Sequence, residues 1–135
     1  MRIEELFDLE IIDEIVCLHA RRSDDAAREL LELFAADAHR SLVRIRVSAW
    51  LGEAAVLKRE AHRLKGTSGS IGATRLQMEC IALERCAGEG DLGELVGLEE
   101  RIEHAFSVLQ ETRDGIRSSA LFQKARRCSN MEPAT

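Results

Sequence analysis

One stretch decides the fold: Ala61-His62-Arg63-Leu64-Lys65-Gly66-Thr67-Ser68-Gly69-Ser70-Ile71-Gly72-Ala73. At helical spacing its apolar positions continue a stripe that starts upstream and comprises Ala54, Leu57, Ala61, Leu64 and Ser68. His62 lies off this stripe, on a face that it shares with Lys58, Arg59, Lys65, Gly66 and Gly69. The stretch therefore predicts an amphipathic helix whose outer face presents one histidine among cations and glycines.

The two glycines on this face need an explanation, because glycine inside a helix costs about 0.5–1 kcal/mol relative to alanine. Without side chains at Gly66 and Gly69, another protein can approach the imidazole of His62. Lys65, one turn away, can pair with an anion carried by that imidazole. A nucleophilic histidine with a nearby cation and open surroundings indicates a phosphoryl carrier. A phosphate-binding glycine loop is not favoured, since no strand precedes the stretch and no GK[ST] motif is present.

Composition points to an all-α protein. The 135 residues suffice for one domain, and aromatic residues make up only 4%, with no Tyr and a single Pro. The net charge of −5 argues against nonspecific nucleic-acid binding. The apolar runs are too short to span a bilayer, and the first residues lack the apolar segment of a signal peptide, so we expect a cytoplasmic protein with no membrane partner. The four cysteines show neither CxxC pairs nor zinc spacing with the histidines, so we expect reduced thiols, no metal and no cofactor.

The hydrophobic pattern predicts one short helix followed by four long ones. The short helix, over about residues 8–19, would close one end of the bundle. Long helices are expected over about 23–51, 53–70, 74–88 and 91–115, separated by turn signals such as Gly52 and Gly72. Trp50 is assigned to the core in preference to a partly exposed contact. The pattern predicts an antiparallel up-down-up-down four-helix bundle over residues 1–117 and a C-terminal tail, partly helical or disordered, over 118–135.

A family resemblance rests on the run His62-Arg-Leu-Lys65-Gly66-Thr-Ser68, followed by Gly72-Ala73, Leu76, Cys80 and Leu83-Glu84. It resembles the histidine-containing phosphotransfer (HPt) domain of bacterial phosphorelays over roughly residues 8–116. The resemblance implies that His62 accepts a phosphoryl group on Nε2 and that Lys65 is the charge partner of that group. It also implies that Glu84, on the following helix, orients the imidazole through a hydrogen bond. Alternatively, Glu84 is a solvent-exposed acidic residue on the helix surface that does not contact the imidazole.

The resemblance also implies the partners, which are the receiver domains of a hybrid histidine kinase and of a response regulator. The residues expected to contact them are Lys58, Arg59, Arg63, Gly66, Ser68 and Gly69. Ser68 is either a hydrogen-bonding position or a packing residue of the apolar stripe. Arg59 and Arg63 either steer acidic receiver surfaces or are inert surface charges.

Nothing in the sequence indicates autonomous catalysis. It contains no nucleotide-binding motif, no acidic triad for Mg²⁺ and no Ser/His/Asp set, so a receiver would supply its own aspartate and metal. We therefore expect a monomeric phosphohistidine carrier. A helical adaptor that binds receivers without phosphorylation is the competing interpretation, but it has no need of the intact set His62, Lys65 and Gly66.

Overall fold

The structure is a computed structural model that describes residues 2–19, 26–88 and 95–117. Within these ranges the chain forms six helices: α1 (Ile3–Leu6), α2 (Leu9–His19), α3 (Ala26–Trp50), α4 (Ala54–Ser70), α5 (Thr74–Gly88) and α6 (Leu95–Arg117). Helices α3 to α6 are the four long helices that the hydrophobic pattern predicts. The C-terminal tail predicted over 118–135 lies outside the described residues.

The four long helices form an antiparallel bundle. Each packs against its neighbours in the chain, and α6 returns to pack against α3. In antiparallel helices, residue numbers rise along one helix as they fall along the other. The side-chain pairs between α3 and α4 follow this order (Asp37–Arg63 and Arg44–Glu60), and so do those between α3 and α6 (Arg46–Glu103 and Trp50–Glu99). The predicted four-helix bundle is confirmed.

The core is a continuous set of buried aliphatic side chains to which all four long helices contribute. On α4 the predicted stripe is buried from its second member onward, at Leu57, Ala61, Leu64 and Ser68. Removing a leucine-sized side chain from water contributes about 1.5–3 kcal/mol. This burial sets the rotation of α4 about its axis and so directs the opposite face, with His62, into solvent.

Gly72 joins the turn between α4 and α5 to the N-terminal part of the chain. Its φ is +82°, a left-handed conformation that glycine adopts without a Cβ clash. Its carbonyl accepts a hydrogen bond of 2.8 Å from the backbone N–H of Asp8, and a Cβ on Gly72 would lie 3.0 Å from Ile11. The N-terminal segment therefore closes this end of the bundle, as predicted, but it forms two helices where we predicted one.

Trp50 is not a core residue. Its side chain is 68% exposed at the C-terminal end of α3, and its indole Nε1 donates a hydrogen bond of 2.9 Å to Glu99. The assignment of Trp50 to the core was wrong because the buried positions of α3 near this end are Ile45, Ser48 and Ala49, which face another direction.

The cysteines differ from one another. Cys80 and Cys86 are free thiols, and burial raises the pKa of Cys80 to about 12, which makes its thiol unreactive. Cys17 is disulfide-bonded, so the prediction of reduced thiols was wrong for that residue.

The part of the chain that the structure describes contains no helix with the length and apolar content needed to cross a bilayer.

Candidate functional site

His62 lies in the middle of α4 with its side chain 66% exposed. The neighbouring Ala61 is fully buried, and Leu64 anchors the next turn in the core. Packing thus fixes the position of the helix that carries the imidazole. The ring itself is exposed to solvent on the outer surface of the bundle.

The carboxylate of Glu84 on α5 holds the imidazole in one orientation. Nδ1 of His62 lies 2.8 Å from Oε1 of Glu84. An ionised carboxylate only accepts hydrogen bonds, so the proton of the neutral ring is on Nδ1 and the lone pair is on Nε2. The geometry therefore leaves the lone pair of Nε2 without a hydrogen-bond partner among the described residues.

The other oxygen of the same carboxylate binds Lys65. Nζ of Lys65 lies 2.8 Å from Oε2 of Glu84, whose side chain is only 20% exposed. These contacts lower the pKa of Glu84, with the hydrogen bond from Lys65 as the largest cause and that from His62 as the second. Lys65 was predicted as the charge partner of a phosphoryl group, and here its ammonium group lies beside the imidazole, paired with Glu84.

The two glycines on this face differ in their surroundings. A Cβ added to Gly66 would meet no heavy atom within 4 Å, so the space above it is open. A Cβ added to Gly69 would overlap the side-chain amide of Gln77 on α5. Gly66 has the open surroundings that we predicted for both glycines, whereas the room made by Gly69 is filled by Gln77.

Two exposed apolar residues of α5 were missed by the sequence analysis, and one of them, Ile81, lies on this surface. The pairing of His62 with Glu84, and of Gly69 with Gln77, sets the antiparallel register of α4 and α5. Ile81 therefore lies level with Lys65 and Gly66, and its side chain is 39% exposed. Met78, one turn earlier, is 57% exposed. Both residues lie off the apolar stripe of α5 (Leu76, Cys80, Leu83), and this was the signal available in the sequence.

The predicted partner-contacting cations fall into two groups. Lys58 and Arg59 are exposed, and neither has a salt-bridge partner within the described residues. Arg63 is also exposed at the surface, but it pairs with Asp37 at 3.2 Å and Glu60 at 3.5 Å. Partial desolvation lowers the pKa of Arg63, but the bonds to Asp37 and Glu60 outweigh it and the net change is upward. The guanidinium of Arg63 therefore links α4 to α3.

Ser68 does not lie on the surface. It is 0% exposed and its Oγ has no hydrogen-bond partner within the described part of the protein. A fully buried side chain is not available to a docking protein, so the predicted partner contact of Ser68 is corrected to the packing role that the apolar stripe also allowed.

A second histidine has a similar partner on the other side of α5. Nδ1 of His104 on α6 lies 3.1 Å from Glu79, and this carboxylate also pairs with Arg75 at 3.7 Å. The residue four positions after His104 is the buried Val108, whereas the residue four positions after His62 is the exposed Gly66. A histidine–glutamate pair is thus not unique to His62, whose side chain is 66% exposed compared with 52% for His104.

No group of three or more His, Cys, Asp or Glu side chains is arranged to hold a metal ion within residues 2–19, 26–88 and 95–117.

The contacts of Glu84 predict a pH-dependent contribution to stability. Folding lowers the pKa of Glu84, so the carboxyl of Glu84 binds a proton more tightly in the unfolded chain than in the folded one. The stabilisation of the folded state by ionised Glu84 is therefore complete above the ordinary carboxyl pKa of about 4.5. It is lost as the pH falls through the lowered pKa of the folded state. We expect the difference in unfolding free energy between the wild type and Glu84→Gln, from urea titrations, to be constant near neutral pH and to shrink below about pH 4.5.

Lys65→Met serves as the control for this measurement. Since Lys65 is the larger cause of the lowered pKa, the effect of Glu84→Gln measured in the Lys65→Met background should depend less on pH. A difference between wild type and Glu84→Gln that stays the same from neutral pH to pH 3 would contradict the structure.

Comparison with known proteins agrees with this geometry. Residues 29–118, two-thirds of the chain, match the family model of the Hpt domain. A search of curated proteins found no match.

Among solved structures, the chain is similar to histidine-containing phosphotransfer protein B (HptB) from Pseudomonas aeruginosa PAO1, at 25% identity and a TM-score of 0.68, covering 90% of this chain and 95% of that one. The fold is also that of a putative histidine-containing phosphotransfer protein from rice, at 19% identity and a TM-score of 0.70, covering 92% and 84% of the two chains. With its exposed histidine on the second long helix of the bundle, the chain belongs to the Hpt domain family, the histidine phosphotransfer carriers of phosphorelays.

Proposed function

We propose that His62 accepts a phosphoryl group on Nε2 from the aspartyl phosphate of a receiver domain in a hybrid histidine kinase and passes it to the receiver of a response regulator. The observation that carries this proposal is the 2.8 Å contact between Nδ1 of His62 and Glu84, which leaves Nε2 free beside the open space at Gly66. The exposed ring on a rigid helix supports the same role.

The transfer needs no other nucleophile from this chain. The lone pair of Nε2 attacks phosphorus, the bond from phosphorus to the aspartate oxygen breaks, and the carboxylate of the receiver leaves with its electron pair. The proton on Nδ1 stays in its hydrogen bond to Glu84. As the ring gains positive charge, the carboxylate of Glu84 stabilises it. In the second transfer the same steps run in reverse toward another receiver aspartate.

Lys65 supplies the charge that a phosphohistidine requires. Its ammonium group lies on Glu84, one helical turn from His62, and its side chain is 29% exposed. A rotation of its flexible side chain brings Nζ from the carboxylate toward the phosphoryl oxygens. A charge-assisted hydrogen bond of this kind contributes roughly 1.5–3 kcal/mol when well aligned. Lys65 thus neutralises Glu84 in the free protein and the phosphoryl group in the loaded one.

The receiver would dock on the face formed by α4 and α5 around His62. Gly66 offers an open approach, and the partly exposed Ile81 offers apolar contact area beside it. Lys58 and Arg59 are exposed on the same side of α4 and favour an acidic receiver surface. Gly69 contributes indirectly, because it makes room for Gln77 between the two helices.

Incubation with a phosphorylated receiver tests the proposal. We expect wild-type protein to gain one phosphate that is labile in acid and stable in base, and His62→Gln to gain none. His104→Gln is the matched control, because His104 is 52% exposed and its Nδ1 also contacts a glutamate. It should be labelled like the wild type. Label that persists in His62→Gln would exclude His62 as the acceptor, and an unlabelled wild type would favour the non-phosphorylated adaptor.

A pair of glycine substitutions tests docking at Gly66. Replacing a helical glycine by leucine stabilises a helix by roughly 0.5–1 kcal/mol where the side chain has room. Both Gly66 and Gly97 on α6 have no heavy atom within 4 Å of an added Cβ. We expect Gly66→Leu and Gly97→Leu to raise the melting temperature alike. Only Gly66→Leu should slow phosphoryl transfer, by about tenfold or more, which is at least about 1.4 kcal/mol in barrier height.

The rate of transfer is measured by rapid mixing with phosphorylated receiver, and folding by thermal unfolding. A wild-type transfer rate in Gly66→Leu would contradict docking at this position.

A further inference from the structure

Helix α3 carries an exposed apolar stripe on the side away from the core. Four large side chains lie along it: Leu33 is 69% exposed, Val43 42%, Val47 48% and Trp50 68%. Positions 43, 47 and 50 follow helical spacing, and Ala36 continues the row toward Leu33. The buried positions of α3, such as Leu42 and Ile45, point the opposite way. His39 and Arg40 are exposed between Ala36 and Val43, so the row consists of two apolar patches, one at Leu33 and Ala36 and one at Val43, Val47 and Trp50. Exposed apolar patches on an otherwise charged helix are typical of an interaction surface.

The charges along α3 are segregated about its midpoint. In residues 26–37 the charged side chains are Arg28, Glu29, Glu32 and Asp37, and in residues 38–50 they are Arg40, Arg44 and Arg46, with no acid. The helix dipole does not explain this pattern, because it favours cations only within the last turn of a helix. Helix α3 ends at Trp50, and Arg40 and Arg44 lie more than one turn before that end. The exposed face of α3 is therefore acidic at one end and basic at the other, with exposed apolar side chains in both halves.

We propose that this face binds a second copy of the same chain, with the two α3 helices antiparallel about a twofold axis near residue 38. A twofold interface must be self-complementary, and a helix with an acidic half and a basic half meets this requirement only in the antiparallel orientation. In this register Leu33 of one copy lies level with Val43 of the other. Glu29 lies less than one turn from Arg44 of the other copy, at both ends of the interface. Sequence patterns led us to expect a monomer, and the surface of α3 changes that expectation.

This interface is separate from the phosphotransfer site. In the bundle α3 packs against α4 and α6, whereas His62 lies on the side of α4 that meets α5. Both histidines of a dimer would remain open to receivers. The inference therefore does not depend on the proposed function, and His62→Gln should self-associate like the wild type.

Sedimentation equilibrium over a wide concentration range tests the inference. We expect the mass of the full chain to rise with concentration from 15.1 kDa toward twice that value. Trp50 is the only tryptophan and lies at one end of the stripe, so its fluorescence emission should shift to shorter wavelength over the same range. Val43→Glu and Val47→Glu should each hold the chain as a monomer. Met78→Glu, which introduces the same charge at an exposed apolar residue of α5, should not change the mass.

Charge reversal identifies the orientation. Glu29→Arg alone and Arg44→Glu alone should each raise the Kd of the dimer by about tenfold or more, because the twofold axis repeats each repulsion. A mixture of the two variants should restore association, since each then faces opposite charge at both ends. Circular dichroism is the check that each variant is folded, as Arg44 also lies 4.0 Å from Glu60 within the chain.

A mass of 15.1 kDa at every concentration would overturn the inference and would leave the stripe as a surface for a different protein. A dimer that survives both valine substitutions would overturn it as well. If the wild type dimerises but the mixture of charge variants does not, the antiparallel pairing of α3 is wrong.

Discussion

The site depends on the contacts of one carboxylate, that of Glu84, because each of its oxygens is bound by a different side chain of α4. Oε1 meets Nδ1 of His62 and Oε2 meets Nζ of Lys65, both at 2.8 Å. This double contact fixes the tautomer of the imidazole and holds a cation beside it. It requires α4 and α5 to keep one register, which the turn at Gly72 and the N-terminal helices packed on that turn maintain.

The bundle separates a rigid interior from two outer surfaces with different properties. One surface, on α4 and α5, carries the exposed imidazole of His62, the open space at Gly66 and the exposed Ile81. The other, on α3, is an apolar stripe with charges of opposite sign at its two ends. The His104–Glu79 pair shows that a histidine in contact with a glutamate occurs twice on the outside of this bundle.

The sequence was sufficient to predict the long helices and the exposure of His62, because a periodic apolar stripe determines both. It was not sufficient where a side chain from another helix decides the outcome. Gly69 looked as open as Gly66, but Gln77 of α5 fills the space beside it. Arg63 looked like a surface cation, but Asp37 of α3 binds it. Trp50 was misplaced because hydrophobicity alone suggests burial, whereas its rotation about α3 and its bond to Glu99 place it outside.

The state of the imidazole nitrogens of His62 tests the central claim most directly. Long-range ¹H–¹⁵N correlation spectra of the unphosphorylated protein, recorded with the ring in its neutral form, report which nitrogen carries the proton. We expect the proton on Nδ1 in the wild type and a mixture of the two tautomers in Glu84→Ala, because the carboxylate is then gone. A ring protonated on Nε2 in the wild type, or a phosphohistidine bonded through Nδ1, would contradict the account.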